Sequence, residues 1–109
     1  MKLVLVCYSG SSVSILRDRM LAWARANLLD VEIIVSSLAG LDEDKEDADI
    51  VLVGPQVRCA LASVRERVPE RIPVMAVDTR DYGMAKGDRV MQAALDEIRQ
   101  YKEHKIHME

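Results

Sequence analysis

The start of the chain reads Leu3-Val4-Leu5-Val6-Cys7-Tyr8-Ser9-Gly10-Ser11-Ser12-Val13-Ser14. Its first four residues are apolar without polar alternation, as expected of a β-strand that is covered on both faces. Small, mostly polar residues follow this run, and an apolar pattern of helical period begins at Leu16. The segment therefore predicts a strand, a loop of small residues and a helix in direct succession.

Three further apolar runs share the character of the first, and they occupy residues 31–35, 50–53 and 74–77. Segments with helical features separate most of them, so strands and helices alternate along the chain. This alternation implies right-handed crossovers and a parallel sheet with helices on both faces. We therefore predict one small flavodoxin-like α/β domain, with four parallel strands in the order 2-1-3-4.

Three of the helical segments have an apolar stripe that predicts which face packs against the sheet. The first stripe consists of Leu16, Met20, Trp23 and Asn27, with Arg17, Asp18 and Arg25 on other faces. In residues 57–68 the stripe consists of Val57, Leu61 and Val64, with Arg65, Glu66 and Arg67 exposed. The last helix has the widest stripe, which consists of Val90, Met91, Ala94, Leu95, Ile98 and Tyr101.

The segment of residues 36–47 has no clear period and ends in the acidic run Asp42-Glu43-Asp44-Lys45-Glu46-Asp47. A short helix and a solvated loop fit it equally well. We interpret the run as a solvated face rather than a calcium site, because calcium-binding loops need alternating ligands around a central glycine.

The length and composition of the chain limit the classes of protein to which it can belong. The 109 residues suffice for one domain, which we assign to residues 1–104, with a C-terminal tail at residues 105–109. A net charge of −3, no Phe and one Trp argue against nucleic-acid binding, which needs a basic face and stacking platforms. No apolar run has the length of a membrane span or a signal-peptide core, so Cys7 and Cys59 are expected to be reduced thiols.

The site is expected at the carboxyl ends of the strands, because ligands of such sheets bind there, where the strand order reverses. That edge brings together residues 7–14, 54–57 and 78–87. Cys7 directly follows the first strand, and the amides of the following loop and helix N-terminus favour an anion and lower the pKa of a thiol. This arrangement suits a thiolate that accepts a phosphoryl group. The alternative is that Cys7 is a small core residue and the serines only cap the helix.

Three related kinds of site lack their signature residues. A low-molecular-weight phosphatase needs an Arg six positions after its Cys, where this chain has Val13. A Walker loop would end in Gly-Lys-Ser or Gly-Lys-Thr, which the loop after the first strand does not contain. A receiver domain would have an Asp after the third strand, where Gly54 lies.

Several other residues are weaker candidates. Gln56 follows Gly54-Pro55 and either offers its amide to the neighbouring loop or belongs to a plain turn, while Pro55 suits the first turn of a helix. Asp78 and Asp81 either position a partner or cap the last helix, and capping is the commoner role. Cys59 is expected in a helix as a core or partly exposed residue. His104 and His107 lie in a charged tail that we expect to fray and that lacks further metal ligands.

A resemblance to a known family rests on three stretches. They are Cys7 with Gly10 and Ser12-Val13-Ser14-Ile15-Leu16, then Ala48-Asp49-Ile50-Val51-Leu52-Val53-Gly54-Pro55-Gln56-Val57, and last Asp78 with Tyr82-Gly83-Met84. On these residues the chain resembles, from residue 2 to about residue 100, the IIB component of the lactose/cellobiose/chitobiose class of the bacterial phosphoenolpyruvate-dependent sugar phosphotransferase system (PTS). That family's loop typically carries Met-Ser-Thr-Ser or a glycine-rich variant, where this chain has Ser11-Ser12-Val13-Ser14.

The resemblance implies that Cys7 is a phosphocysteine intermediate. It would accept a phosphoryl group from a phosphohistidine on the IIA protein (EIIA) and pass it to a sugar held by the membrane protein IIC (EIIC), such as a β-linked disaccharide. The phosphate-binding loop would consist of Tyr8, Ser9, Gly10, Ser11, Ser12, Val13 and Ser14. Supporting or partner-docking residues would be Gln56, Asp78 and Tyr82, with Arg17 and Arg58 as further docking candidates.

The same resemblance implies a cytoplasmic monomer that reaches the inner face of the membrane through EIIC, without inserting into lipid. No metal, cofactor or nucleic acid is required. Two alternatives stay open on the residues alone: a small anion-binding regulatory module, and a Cys-dependent phosphatase or arsenate reductase.

Overall fold

The computed structural model describes residues 1–7 and 12–108. For residues 12 and 104–108 it describes the backbone only. The strands are β1 (Lys2–Val6), β2 (Glu32–Ser36), β3 (Ile50–Val53) and β4 (Val74–Ala76). The α-helices are α1 (Ser12–Ala26), α2 (Leu41–Asp44), α3 (Leu61–Arg67), α4 (Thr79–Gly83) and α5 (Gly87–Met108). A 3₁₀ helix (Pro55–Ala60) precedes α3, and Pro55 occupies its first turn as predicted.

The four strands form one parallel sheet in the order β2-β1-β3-β4, which confirms the predicted topology. The two central strands, β1 and β3, are apolar apart from Lys2, and almost all of their residues are buried. Their unbroken apolar sequences therefore reflect helices packed on both faces. The observed strands begin and end within one residue of the predicted runs.

Two core layers lie on opposite faces of the sheet, because successive strand residues point to opposite sides. On one face Leu5 packs in a cluster with Met20 of α1 and Met91 of α5. On the other face Val6 packs in a cluster with Val64 of α3. Each layer thus holds a different set of helices against the sheet.

The stripe predicted for α1 is correct except at its end. Leu16 and Met20 are fully buried and Trp23 is half-buried, but Asn27 is exposed. Asn27 lies beyond the helix and its side-chain amide donates to the Trp23 carbonyl at 2.8 Å. Asn27 therefore closes the end of the helix and takes no part in the packed face.

The predicted helix over residues 57–68 divides into the 3₁₀ helix and α3, with non-helical dihedral angles at Val57. Arg67 was expected to be exposed, and this expectation is wrong. Its guanidinium donates to the Leu38 carbonyl at 2.7 Å and lies 3.3 Å from the Asp42 carboxylate. Arg67 therefore ties α3 to the segment before β3, in which residues 41–44 form the short helix α2.

The last helix, α5, packs with its predicted face and extends further than expected. Val90, Met91, Ala94 and Ile98 are buried, whereas Leu95 and Tyr101 are half-buried. Helical backbone continues through Met108, so the expectation of a frayed tail is wrong, and the domain boundary after residue 104 stays a prediction. No helix in the described ranges is long and apolar enough to cross a membrane.

Candidate functional site

The carboxyl edge of the sheet brings three of the predicted segments together. Val6 pairs with Val53, and Val53 pairs with Ala76, so the residues after β1, β3 and β4 lie side by side. Beyond the last pairs, the Gly54 amide donates to the Val6 carbonyl at 2.8 Å. The Val77 amide donates to the Val53 carbonyl at 2.9 Å. This edge is therefore a continuous, hydrogen-bonded floor under the site.

Cys7 lies at the centre of this floor. Its amide donates to the Ser36 carbonyl at 3.0 Å, and its side chain is only 4% exposed. Burial raises the pKa of the thiol above its ordinary value of 9.0, which is opposite to the lowering that the sequence analysis expected. Desolvation disfavours the thiolate, because a charge loses its hydration in apolar surroundings. The described surroundings of Cys7 therefore favour the protonated thiol.

Gly54 lies among the Val6 carbonyl, the Gln56 side chain and the Tyr82 ring. A β-carbon at Gly54 would lie 3.3 Å from the Val6 carbonyl oxygen and 3.5 Å from Cε2 of Tyr82. It would also lie 3.2 Å from Oε1 of Gln56. Two candidates from separate parts of the sequence, Gln56 and Tyr82, therefore meet at Gly54, which is hydrogen-bonded to the residue before Cys7.

The phenol of Tyr82 interacts with Cys7 and with Gln56. Burial raises its pKa first, the negative charge of a Cys7 thiolate raises it further, and the Gln56 side-chain amide opposes the shift. The pKa of Tyr82 is therefore above its ordinary value of 10.0, and the phenol stays protonated near neutral pH. A protonated phenol beside Cys7 is a hydrogen-bond donor for an anion held there.

Asp78 positions Tyr82 by capping α4. Its Oδ1 accepts from the amides of Arg80 at 2.9 Å and Asp81 at 3.0 Å. Capping was the favoured role, but the capped helix is α4 rather than the predicted last helix. Asp81 instead forms an ion pair with Arg89 of α5 at 3.3 Å. Both carboxylates thus fix the segment that carries Tyr82.

The predicted phosphate-binding loop is described only in part. Tyr8, Ser9, Gly10 and Ser11 lie outside the described residues, and Ser12 begins the backbone of α1. The side chain of Val13 is buried in the core, which leaves only its backbone for a ligand, while Ser14 is exposed in the first turn. The roles of these seven residues stay a prediction.

The remaining candidates lie apart from Cys7 or are undescribed. Cys59 is an exposed free thiol in the 3₁₀ helix, so it is not a core residue. His104 and His107 lie on α5, with side chains outside the description. Across residues 1–7 and 12–108, no group of three His, Cys, Asp or Glu side chains is arranged to hold a metal ion.

A cavity with several basic side chains lies next to α4, and the sequence did not predict that these side chains line one cavity. Its volume is about 920 Å³, and its lining includes Arg58, Arg80, Met84, Lys86 and Arg89. Of these residues, only Arg58 was a docking candidate on the sequence alone. The signal available in the sequence was a cluster of basic residues just beyond the ends of β3 and β4, which share one edge of the sheet.

Comparison with solved structures identifies the class of fold. The chain is similar to the solution structure of the cellobiose-specific phosphotransferase IIB component from Borrelia burgdorferi, with a TM-score of 0.77 and 29% identity over 93% of this chain and 94% of that one. The lactose-specific IIB domain from Streptococcus pneumoniae shares the fold, with a TM-score of 0.73 and 17% identity over 89% and 96% of the chains. The fold is therefore that of a phosphotransferase IIB component.

Sequence comparison narrows the class to one family. The family model for the PTS system, lactose/cellobiose specific IIB subunit, matches residues 2–93. The galactose-specific EIIB component of Lactococcus lactis subsp. cremoris is 33% identical, with 84% of this chain and 91% of that protein covered. The oligo-beta-mannoside-specific EIIB component of Bacillus subtilis is also 33% identical, with 86% and 92% covered. The chain belongs to the lactose/cellobiose-specific IIB family of the PTS.

Proposed function

We propose that Cys7 is the phosphoryl carrier of this IIB subunit, accepting the group from a phosphohistidine of EIIA and passing it to a sugar bound by EIIC. The observation that carries the proposal is the position of Cys7: a buried thiol at the carboxyl end of β1, beside the end of β3, that interacts electrostatically with the protonated phenol of Tyr82. In this role the protein is a phosphocysteine–sugar phosphotransferase.

The raised pKa of Cys7 fits a transfer that starts from the thiol. When the phosphohistidine arrives, the sulfur attacks phosphorus, the S–P bond forms and the N–P bond breaks. The leaving imidazole nitrogen keeps the electron pair of the N–P bond and takes up the thiol proton, so that charge and protons balance. A neutral thiol also avoids repulsion with the dianionic phosphoryl group before the reaction begins.

Donors around Cys7 would stabilise the three equatorial oxygens of the phosphoryl group in an in-line transfer. The predicted donors are the amides of the loop from Tyr8 to Ser14 and the hydroxyls of Ser9, Ser11, Ser12 and Ser14. The protonated phenol of Tyr82 adds one donor, and the Gln56 amide orients that phenol. These groups supply the electrostatic stabilisation from the protein itself, so the mechanism requires neither a metal nor a cofactor.

The family supports the proposed substrate class and partners. Two relatives are named for cellobiose and for oligo-beta-mannosides, which supports a β-linked disaccharide such as cellobiose, chitobiose or lactose as the acceptor here, while a third is named for the monosaccharide galactose. The protein would act as a cytoplasmic monomer that meets EIIA and EIIC in turn, reaching the inner face of the membrane only through EIIC.

The test is intact-mass spectrometry after incubation with phosphorylated EIIA of this class. We expect one phosphoryl group on the wild-type protein, mapped to Cys7 and absent from Cys7→Ser. The Cys59→Ser variant is the matched control, because its thiol is exposed and outside the core, and it should be labelled like the wild type. Labelling of Cys7→Ser at the wild-type rate would contradict the proposal.

The same samples separate the alternatives. Binding of inorganic phosphate without any added mass, across several EIIA donors, would favour an anion-binding regulatory module. Continuous release of phosphate from an aryl phosphate, or reduction of arsenate, would favour a Cys-dependent phosphatase or reductase.

A further inference from the structure

The basic cavity beside α4 contrasts with the charge of the whole chain. The protein has a formal net charge of −3, yet the cations that line this one cavity outnumber the carboxylates: Arg58, Arg80, Lys86 and Arg89 against Asp78 and Asp81. Such local charge of the opposite sign attracts anionic partners and orients them as they approach. We name Arg58, Arg80, Lys86 and Arg89, together with Met84, the basic surface.

Three of the four cations form no ion pair within the described part of the chain. The carboxylate of Asp78 is used as a helix cap, and Asp81 forms its ion pair with Arg89. Arg58, Arg80 and Lys86 form no ion pair with any described residue. Because these three cations are available, the surface is suited to a partner that brings its own carboxylates.

An exposed apolar side chain lies among the cations. Met84 is 56% exposed and lines the same cavity as Arg80 and Lys86. Ile15, in the first turn of α1, is 53% exposed and precedes Arg19 by one helical turn. Met and Arg are enriched at protein–protein interfaces, whereas a small anion has no use for an exposed thioether.

The basic surface is also held rigidly against α1. The Arg19 guanidinium donates to the carbonyls of Met84 at 3.3 Å and Ala85 at 3.2 Å. The cap by Asp78 fixes the other end of the same segment. A surface that is already ordered loses little conformational entropy when a partner binds.

We propose that the basic surface is the docking site for an acidic protein face on the phosphoryl donor, with Met84 against an apolar centre of that face. The proposal deepens the proposed function and rests on it for the identity of the partner. It separates recognition, which the α4–α5 segment provides, from phosphoryl acceptance by Cys7.

The test compares two double variants that remove the same charge. Arg80→Gln/Lys86→Gln removes two cations of the basic surface. Arg25→Gln/Lys102→Gln removes two exposed cations from the last turn of α1 and from the distal part of α5, outside the basic surface. The readout is kcat/KM for phosphorylation of Cys7 by phosphorylated EIIA, as a function of salt.

At about 0.01 M salt we expect the basic-surface variant to lose roughly tenfold or more in kcat/KM, mainly through slower association. The control variant should stay within about twofold of the wild type. At about 1 M salt, where charges are screened, the variants should converge. Equal kcat/KM for the two double variants at low salt would overturn the docking proposal.

A failure of the proposed phosphoryl transfer can be distinguished from a failure of the docking proposal. If EIIA phosphorylates neither the wild type nor any variant, binding of unphosphorylated EIIA is measured by titration calorimetry. Tighter binding to the wild type and control than to the basic-surface variant would support the docking site without the transfer. Equal EIIA binding by all three proteins, with saturable binding of inorganic phosphate to the wild type and the control but not to the basic-surface variant, would overturn it and assign a small-anion site.

Discussion

Cys7 and the basic surface lie near the same edge of the sheet but differ in nearly every physical property. Cys7 is buried, and its burial favours the uncharged thiol. The basic surface is open and carries four cations. Among the described residues no cation lowers the pKa of the Cys7 thiol; burial alone shifts it, and upward.

Positive charge and the candidate nucleophile thus lie in two different regions. In the proposed transfer the thiol stays protonated until the donor binds, because its proton goes to the leaving imidazole. The proposed role of the cations is then to attract and orient a partner rather than to activate the sulfur. Tyr82 connects the two regions, because it interacts with Cys7 and lies on α4 beside the basic surface.

The largest expected effect comes from adding one methyl group where the start of α5, next to the basic surface, crosses α1. Gly87, the first residue of α5, crosses α1 so closely that a β-carbon would lie 2.6 Å from the backbone carbonyl carbon of Arg19 and the backbone nitrogen of Met20. Backbone atoms cannot move aside cheaply, so Gly87→Ala should lower the free energy of unfolding by about 2–3 kcal/mol in urea denaturation.

Gly83→Ala is the matched control for Gly87→Ala. A β-carbon at Gly83, in the last turn of α4, meets no atom within 4 Å. Alanine there should leave the urea midpoint unchanged or raise it slightly, because alanine favours helix. If both alanine variants unfolded at the same urea concentration, the close contact between α5 and α1 would be refuted.

The second effect concerns the two thiols. Near neutral pH, iodoacetamide should modify the exposed Cys59 at least about tenfold faster than Cys7, because Cys7 is both buried and held protonated. Peptide mapping by mass spectrometry measures both rates in one sample. Faster labelling of Cys7 would show that the thiolate is stabilised after all.

The same shift fixes the sign of a pH effect on stability. The folded pKa of Cys7 lies above its ordinary value of 9.0, so at pH below 9.0 the thiol is protonated in both states. As pH rises from 9.0 through the folded pKa, the unfolded state loses the proton first, and the contribution to stability is lost. Cys7→Ser should therefore weaken the alkaline decrease in unfolding free energy.

The third effect tests the link between the regions. Tyr82→Phe removes the phenolic donor beside Cys7 but keeps the ring that packs over Gly54. One net hydrogen bond is worth about 1 kcal/mol, so we expect phosphocysteine formation to slow about fivefold. Single-turnover mass spectrometry with phosphorylated EIIA measures the rate.

Tyr101→Phe is the corresponding control. The Tyr101 hydroxyl donates to the Glu70 carbonyl, far along α5 from Cys7, so its removal affects packing of the helix and not the transfer. Equal rates for the two Phe variants would remove Tyr82 from the mechanism and leave it a packing residue.

The fold was predictable from sequence because its decisive signals are local and redundant. The apolar runs at β1 and β3 fix the central strands, and the helical stripes at Leu16 and Met91 fix which helix faces are buried. Arg67 was misjudged because a long charged side chain near the end of a helix can fold back onto carbonyl groups of another segment, which sequence spacing does not show.

Sequence indicated which candidate residues lie near one another, but not the electrostatics at Cys7. Cys7 and Gln56 were named from strand ends and Tyr82 from the family resemblance, and the parallel order of the sheet brings the segments that carry them to one edge. The direction of the pKa shift at Cys7 depends on how deeply three separate segments bury it, and no local pattern encodes that depth. The basic surface was missed for the same reason, since its cations come from two different connections.

The smallest effect compares the two described non-glycine residues with positive φ, Leu28 at 57° and Ala85 at 52°. Both occupy the turn after a helix: the Leu29 amide donates to the Ala24 carbonyl, and the Lys86 amide donates to the Asp81 carbonyl, each at 2.8 Å. This left-handed position favours glycine, which lacks the β-carbon that causes the strain.

Leu28 is 94% exposed and has little packing to lose, so Leu28→Gly should raise the free energy of unfolding by about 0.5 kcal/mol. Ala85 packs against the core between α1 and the basic surface, and loss of its methyl group, worth about 0.8 kcal/mol, should cancel the gain in Ala85→Gly. Urea denaturation of the two variants measures the difference. A larger gain at Ala85 would mean that the segment connecting the two regions is strained rather than well packed, and that the docking surface is less rigid than its hydrogen bonds to Arg19 indicate.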